Sequence, residues 1–144
     1  MRQIKYIVVH CTATPPDTTI DSIKNYWRES LGWKNPGYHY IITRNGEIVN
    51  LFPEEQVSNG VKGYNKNSVH ISYIGGVDKN NQPLDNRTDA QKHAMFNKLV
   101  ALSEKYPNAT ILGHRDFPGV TKMCPSFDVK QWLKNYTPDF DLAA

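Results

Sequence analysis

Tyr6-Ile7-Val8-Val9 is an unbroken apolar run that closes on His10, and its reading decides the fold. Lacking polar alternation, residues 5–10 read as a strand buried on both faces, which needs a sheet covered on both sides. Side-chain alternation puts Tyr6, Val8 and His10 on one face of that strand and turns Cys11 to the other. A second run, Thr110-Ile111-Leu112-Gly113, also closes on a histidine, His114, and Cys124 follows ten residues later.

The segments between these runs complete the architecture. Residues 12–17, with Pro15-Pro16, read as loop. Thr18 reads as an N-cap with Asp21 three residues on. Ile20, Ile23, Trp27 and Leu31 then recur at helical spacing before Gly32, which predicts a helix over 19–31. Asn35-Pro36-Gly37 is a turn, and Asn45-Gly46 predicts a hairpin joining strands at 38–43 and 47–51. Residues 53–67 form a long polar loop, of the kind that carries function in a compact domain. Residues 68–74 are another strand, stopped by Gly75-Gly76. Thr88 and Gln91 form a capping box for a long helix with Phe96, Leu99, Val100 and Ser103 on one face. A short helix over 129–135 has Trp132 and Leu133 on its inner side. Strands alternating with helices, together with one hairpin, predict a single α/β domain over 1–144, with a mixed central sheet flanked by helices.

Composition narrows the function classes. Apolar residues make up 39% and charged residues 22% of the 144, the balance of an ordinary globular chain that needs no disulfide staples. Eight tyrosines and three tryptophans suit sugar or peptide contact as well as a core. A net charge of +3 favours an anionic polymer only mildly, and no Lys/Arg run marks a nucleic-acid surface. No apolar stretch approaches a membrane span, and no signal peptide is legible, so the expectation is a chain made in the cytoplasm, and one compact domain suggests a monomer. Cys11 and Cys124 are too few for a disulfide framework, and a bridge between them would compete with a site at His10 and Cys124; Cys11 reads as a buried structural thiol.

His10, His114 and Cys124 are candidate zinc ligands. Two imidazoles and a thiolate leave one corner of a tetrahedral ion open, the pattern of a catalytic rather than a structural site. Such an ion would carry water towards hydroxide near neutral pH and polarise a carbonyl, so the expected chemistry is metal-activated hydrolysis. Lys122, two residues before Cys124, is placed to meet a developing oxyanion. Tyr38, at a strand end, has reason for a lowered pKa beside a dication and could orient water or donate to the oxyanion. Taken singly, each of these also reads as a rim residue, and spacing alone does not join His10 to a pair more than a hundred residues away. His39, His70 and His93 read as histidines outside the site, His93 as solvated.

Five segments in order carry a resemblance: Val9-His10-Cys11-Thr12-Ala13-Thr14, Gly37-Tyr38-His39-Tyr40-Ile41-Ile42, Lys62-Gly63-Tyr64-Asn65-Lys66-Asn67-Ser68, Gly113-His114-Arg115-Asp116 and Lys122-Met123-Cys124-Pro125-Ser126-Phe127-Asp128. Together they resemble the zinc N-acetylmuramoyl-L-alanine amidases, relatives of the peptidoglycan recognition proteins, and among them the short phage endolysins. The resemblance runs from about residue 4 to 135. It implies zinc in an open surface groove, ligands at His10, His114 and Cys124, a catalytic tyrosine at Tyr38 and a lysine at Lys122. It also implies peptidoglycan as substrate, cut at the amide between N-acetylmuramic acid and L-alanine, with action at the cell wall by an unspecified release route.

This chain departs from the family pattern at three places. Gly60 stands where endolysin relatives often have a histidine, His70 where they have glycine, and Ser72 where recycling-type members have a glutamate base. The alternatives that the resemblance carries are a non-catalytic peptidoglycan-binding module, a regulatory module with a protein partner such as a phage RNA polymerase, and a cytosolic muropeptide-recycling amidase. Retention of Cys124 argues against the first, and Ser72 against the last.

Overall fold

Residues 2–137 are described by the computed structural model. Among them β1 (Tyr6–Cys11) precedes α1 (Ile20–Asn25), β2 (Tyr40–Ile42), β3 (Ile48–Asn50), β4 (Ser68–Tyr73), α2 (Asp89–Lys105), β5 (Thr110–Gly113) and α3 (Val129–Asn135). The strands form one sheet in the order β3-β2-β4-β1-β5. Neighbours from β2 to β5 pair in parallel, and β3 pairs antiparallel to β2, so the sheet is mixed, as expected.

β1 lies inside the sheet, and Ile7, Val8 and Val9 have no exposed surface. Ile7, Val9 and Cys11 face a core shared with Met95, Leu99 and Leu102 of α2 and Val129 of α3. On the opposite face Val8 and Leu112 pack with Val61 and Phe117, while Ile41 and Ile74 pack with Ile23 and Trp27 below α1. His10 shares this second face. No helix among the described residues is long and apolar enough to cross a membrane.

The hairpin forms at the expected place. Gly46 has φ +85° and its N–H donates to Thr43 O at 2.9 Å; a Cβ there would lie 2.8 Å from Ala90 O. The capping box of α2 also forms: Thr88 N–H donates to Gln91 Oε1 (3.0 Å) and Gln91 N–H to Thr88 Oγ1 (3.1 Å). The buried Gln91 amide goes further and donates to Ile42 O and Ile74 O, both at 3.2 Å, tying the helix start to two strands.

Two expectations need correction. The N-cap of α1 is Thr19, not Thr18: Thr19 Oγ1 accepts from Ser22 N–H at 3.1 Å, whereas Thr18 N–H is taken by Pro15 O in the preceding turn. The helix does not run regularly to residue 31 either. After Asn25 it widens into a π turn over Tyr26–Ser30, with Leu31 N–H bonded back to Tyr26 O at 3.2 Å, and stops before Gly32 at φ +68°.

The inner stripe of α2 also differs from the expected one. It is Gln91, Met95, Leu99 and Leu102; Val100 is 40% exposed, and Phe96 turns towards Trp132 and Tyr136. Burying Met95, Leu99 and Leu102 contributes on the order of 5–9 kcal/mol before entropy. That outweighs the roughly 1 kcal/mol of the cap, so packing decides which face turns inward. Leu99→Ala is accordingly expected to cost about 2–5 kcal/mol and Val100→Ala less than about 0.5 kcal/mol, read as urea midpoints at constant m.

Candidate metal centre

β1 and β5 are parallel neighbours with Val9 opposite Gly113, so His10 and His114 leave the sheet side by side at its carboxyl edge. Their ring centroids are 4.9 Å apart. The third group comes from the 115–127 loop. Arg115 N–H donates to Cys124 O (2.9 Å), Tyr73 OH to Pro125 O (2.7 Å) and Ser126 Oγ to Gly76 O (2.8 Å), and these contacts set the Cys124 thiol at the same edge. One donor atom from each of His10, His114 and Cys124 lies within 4.8 Å of the others, with His10 Nδ1 3.8 Å from Cys124 Sγ. Donors around a tetrahedral zinc stand about 3.3–3.8 Å apart, given metal–ligand lengths of about 2.0–2.3 Å; His10 Nδ1 and Cys124 Sγ have that separation, and a small inward shift of the other donors would close the set on one ion.

The electrostatics suit a divalent cation. Burial holds the His10 pKa well below the ordinary imidazole value, with His70 and His114 adding to the effect. Burial, and then the charge of Lys122, lowers His114 to about 4. Both rings are therefore neutral near pH 7, with a lone pair that a cation could take. The Cys124 thiol is pushed up by its contact with Cys11 and by burial, so a cation must displace its proton. Cys11 keeps a free, buried thiol on the core side, as alternation implied, while its backbone N–H donates to Cys124 Sγ at 3.2 Å.

Tyr38 sits on the groove wall, its ring 5.1 Å from His10 and 5.3 Å from Trp27, and its hydroxyl donates to Cys11 O at 3.1 Å. The expected lowering of its pKa is not what its protein surroundings produce. Burial, then Cys124 and Cys11, raise it well above the usual phenol value, so the residue is held as a proton donor. Lys122 is exposed on the groove rim, close enough to lower the proton affinity of His10, His114 and Cys124. The groove comprises two cavities of about 650 and 690 Å³, both bordered by Trp33, Asn59, Gly60, His114 and Lys122. One runs past Thr12, Tyr26 and Tyr38, the other along Lys62 and Val120. The π turn supplies the apolar wall, including the 56%-exposed Tyr26.

His70 and His39 are not stray histidines. His70 is fully buried, with Nδ1 2.8 Å from His10 Nε2 and Nε2 2.9 Å from Asn65 Oδ1. His39 Nδ1 accepts from His70 N–H at 3.0 Å, and the two rings are parallel within 6°. The departures at Gly60 and His70 are coupled: a Cβ at Gly60 would lie 2.3 Å from the His70 ring. The register Val8↔His70 places His70 on the His10 face, and that cross-strand pairing is the signal a single chain reading lacks. Ser72 lies opposite His10, fully buried, where a carboxylate is absent.

Two outcomes follow. Gly60→Ala should cost about 1–3 kcal/mol by displacing the ring, and much less in a His70→Ala background, which a double-mutant cycle of urea unfolding measures. His10, His70 and His114 bind protons in the unfolded chain near pH 6.5, but in the folded protein only at lower pH, about 4 for His114. Between those values the unfolded state holds more protons. Stability of the metal-free protein should therefore be full above pH 6.5 and decline towards about pH 4, read from melting temperatures across that range.

Comparison with known proteins identifies the family. Residues 1–127 match the N-acetylmuramoyl-L-alanine amidase family model. The endolysin of Klebsiella phage KP32 is 38% identical over 133 residues, spanning 91% of this chain and 86% of its own; the endolysin of Escherichia phage T7 is 37% identical over 127 residues, spanning 88% and 83%. Among solved structures, the Ph2119 endolysin from a Thermus scotoductus bacteriophage superposes with a TM-score of 0.78 at 25% identity, covering 92% of this chain and 84% of that one. The shared fold and the match over most of its length make this chain a member of the N-acetylmuramoyl-L-alanine amidase family.

Proposed function

We propose that the protein is a zinc hydrolase that cleaves the amide between N-acetylmuramic acid and L-alanine in peptidoglycan, acting as a monomeric endolysin on the cell wall. The observation that carries this reading is the convergence of His10, His114 and Cys124 from three distant segments at one end of an open groove. Family membership and the endolysin relatives support the same substrate class.

A zinc ion held by His10, His114 and Cys124 would supply Lewis acidity, lowering the pKa of water and polarising the scissile carbonyl. The protein's own residues do the rest. His10 and His114 arrive neutral and need no deprotonation, and Cys124 gives up its thiol proton on loading. Tyr38, kept as a phenol, offers its hydroxyl hydrogen to oxygen that gains charge as the amide carbonyl is attacked. Lys122 contributes a mobile cation to the same developing charge from the rim. The groove, long in relation to the three ligands and walled by Trp27 and Trp33, holds the glycopeptide across the centre.

The lining residues also favour amide over glycosidic cleavage. Neither cavity is bordered by an Asp or Glu among the described residues, whereas glycoside hydrolysis ordinarily needs a pair of carboxylates. With Ser72 in place of a glutamate base, the proton handling that the protein's own groups can supply falls to Tyr38. Retention of Cys124 within 3.8 Å of His10 Nδ1 favours catalysis over the binding-module reading.

Purified cell wall digested by the protein should yield new N-terminal alanine and no new reducing sugar ends; the reverse pattern would make it a glycosidase. Cys124→Ser should fold yet lose zinc and wall lysis, since oxygen is a harder and poorer ligand here, as metal analysis and turbidity clearing would show. Tyr38→Phe should keep its zinc while kcat falls about 100- to 1000-fold, and an unchanged kcat would remove the tyrosine from the chemistry.

A further inference from the structure

We propose that His70, backed by Asn65, is a positioning residue that dictates which nitrogen of His10 is free to bind the metal. This rests on the reading of His10, His114 and Cys124 as a zinc centre.

A single backbone donor sets the placement of every hydrogen in the chain of contacts. Val61 N–H can only donate, and it lies 2.8 Å from the Asn65 side chain, so the atom it meets is the amide oxygen. That oxygen also faces His70 Nε2 at 2.9 Å and can only accept, so Nε2 carries a hydrogen. His70 is fully buried, and the ring contacts described above include no carboxylate, so its ring is neutral and its Nδ1 is a bare acceptor. His10 Nε2, 2.8 Å from that Nδ1, must then carry the hydrogen of His10. A neutral His10 is left with a lone pair on Nδ1 alone, and Nδ1 is the nitrogen 3.8 Å from Cys124 Sγ. Proton placement that begins at Val61 N–H thus ends with a lone pair aimed at the metal position.

The rest of the structure holds this chain rigid. His70 N–H donates to His39 Nδ1 at 3.0 Å and His39 N–H donates to His70 O at 3.0 Å, clamping the His70 backbone from one side. With its Nδ1 occupied as an acceptor, His39 directs Nε2–H to Gln56 O at 2.7 Å. The Arg2 guanidinium donates to Asn65 O and Ser68 O at 3.1 and 3.0 Å, fastening the turn that presents Asn65. Gly60 leaves the space that the His70 ring fills. Partners of this kind tune ligand basicity and orientation, and their loss typically weakens metal binding about 10- to 100-fold.

The test is zinc affinity by chelator competition in the full chain, for wild type, His70→Phe and His70→Asn. Phenylalanine keeps the ring volume but removes both nitrogens, whereas asparagine places an oxygen near the position of Nδ1 and preserves the acceptor for His10. His70→Phe should bind zinc about 10- to 100-fold more weakly, while His70→Asn stays close to wild type. A His70→Phe protein that binds zinc as tightly as wild type, or a His70→Asn protein that binds as weakly as His70→Phe, would overturn the assignment. Should phenylalanine prevent folding, the wild type alone decides. Long-range nitrogen–proton NMR of the zinc-loaded protein should show hydrogen on Nε2 of both His10 and His70, and a His70 hydrogen on Nδ1 instead would sink the proposal. Failure of the wild type to bind zinc at all would overturn the metal-centre reading and this inference with it, an outcome distinct from any difference among variants.

Discussion

The hydrogen-bonded pairing of β1 with β4 on one side and β5 on the other is the constraint from which the site follows. With Tyr6 opposite both Ser68 and Thr110, three parallel strands end at one edge, and residues 10, 72 and 114 emerge there together. Ligands in open α/β sheets sit at the carboxyl ends of strands because side chains leaving those ends are free of the ladder yet held by it. A one-residue slip of β1 would turn His10 into the core and Cys11 into the groove. Such a slip is opposed because it would put the His10 imidazole among the apolar side chains of Met95 and Leu99 and take Cys11 out of that core.

The second requirement is electrical. Three imidazoles, His10, His39 and His70, lie buried beside one another; Glu54 and Glu55 act on His39, while Arg2 and Lys122 add cations nearby. Were all three charged, mutual repulsion and lost hydration would unfold the region. Neutrality resolves this, and each neutral ring must then have one donor and one acceptor matched. In a low-dielectric interior an unmatched group is costly, so the alternating order of hydrogens is a single solution shared by several residues. A dication held by His10, His114 and Cys124 would meet imidazoles that are already neutral and would have to displace the Cys124 proton.

Much of this was legible before the coordinates. The strand at residue 6, the hairpin at Asn45-Gly46 and the Thr88/Gln91 capping box depend on neighbours within a few positions, and all are present. His10, His114 and Cys124 stand out in the sequence as residue types suited to zinc, but each taken singly also reads as a rim residue, and only the pairing of β1 with β5 brings the two histidines together. The inner stripe of α2 was misread because Phe96 and Val100 satisfy helical spacing as well as Met95 and Leu102 do; α3 claims Phe96, which turns the helix. The N-cap of α1 shifted by one residue because Pro15 O captured Thr18 N–H. In the sequence His70 stands out only as a bulky departure from a family glycine that could alter packing or extend the site; its partner, His10, is 60 residues away.

Local chemistry alone, then, settled most of the strand and helix inventory and the mixed α/β class, because propensity and periodicity are properties of short segments. The assembled fold decided which nitrogen of His10 faces Cys124, that burial holds Tyr38 as a phenol, and that the His70 ring fills the space left by Gly60. Those outcomes depend on burial and on hydrogen bonds between strands distant in the chain, and both come into being only when the sheet has closed.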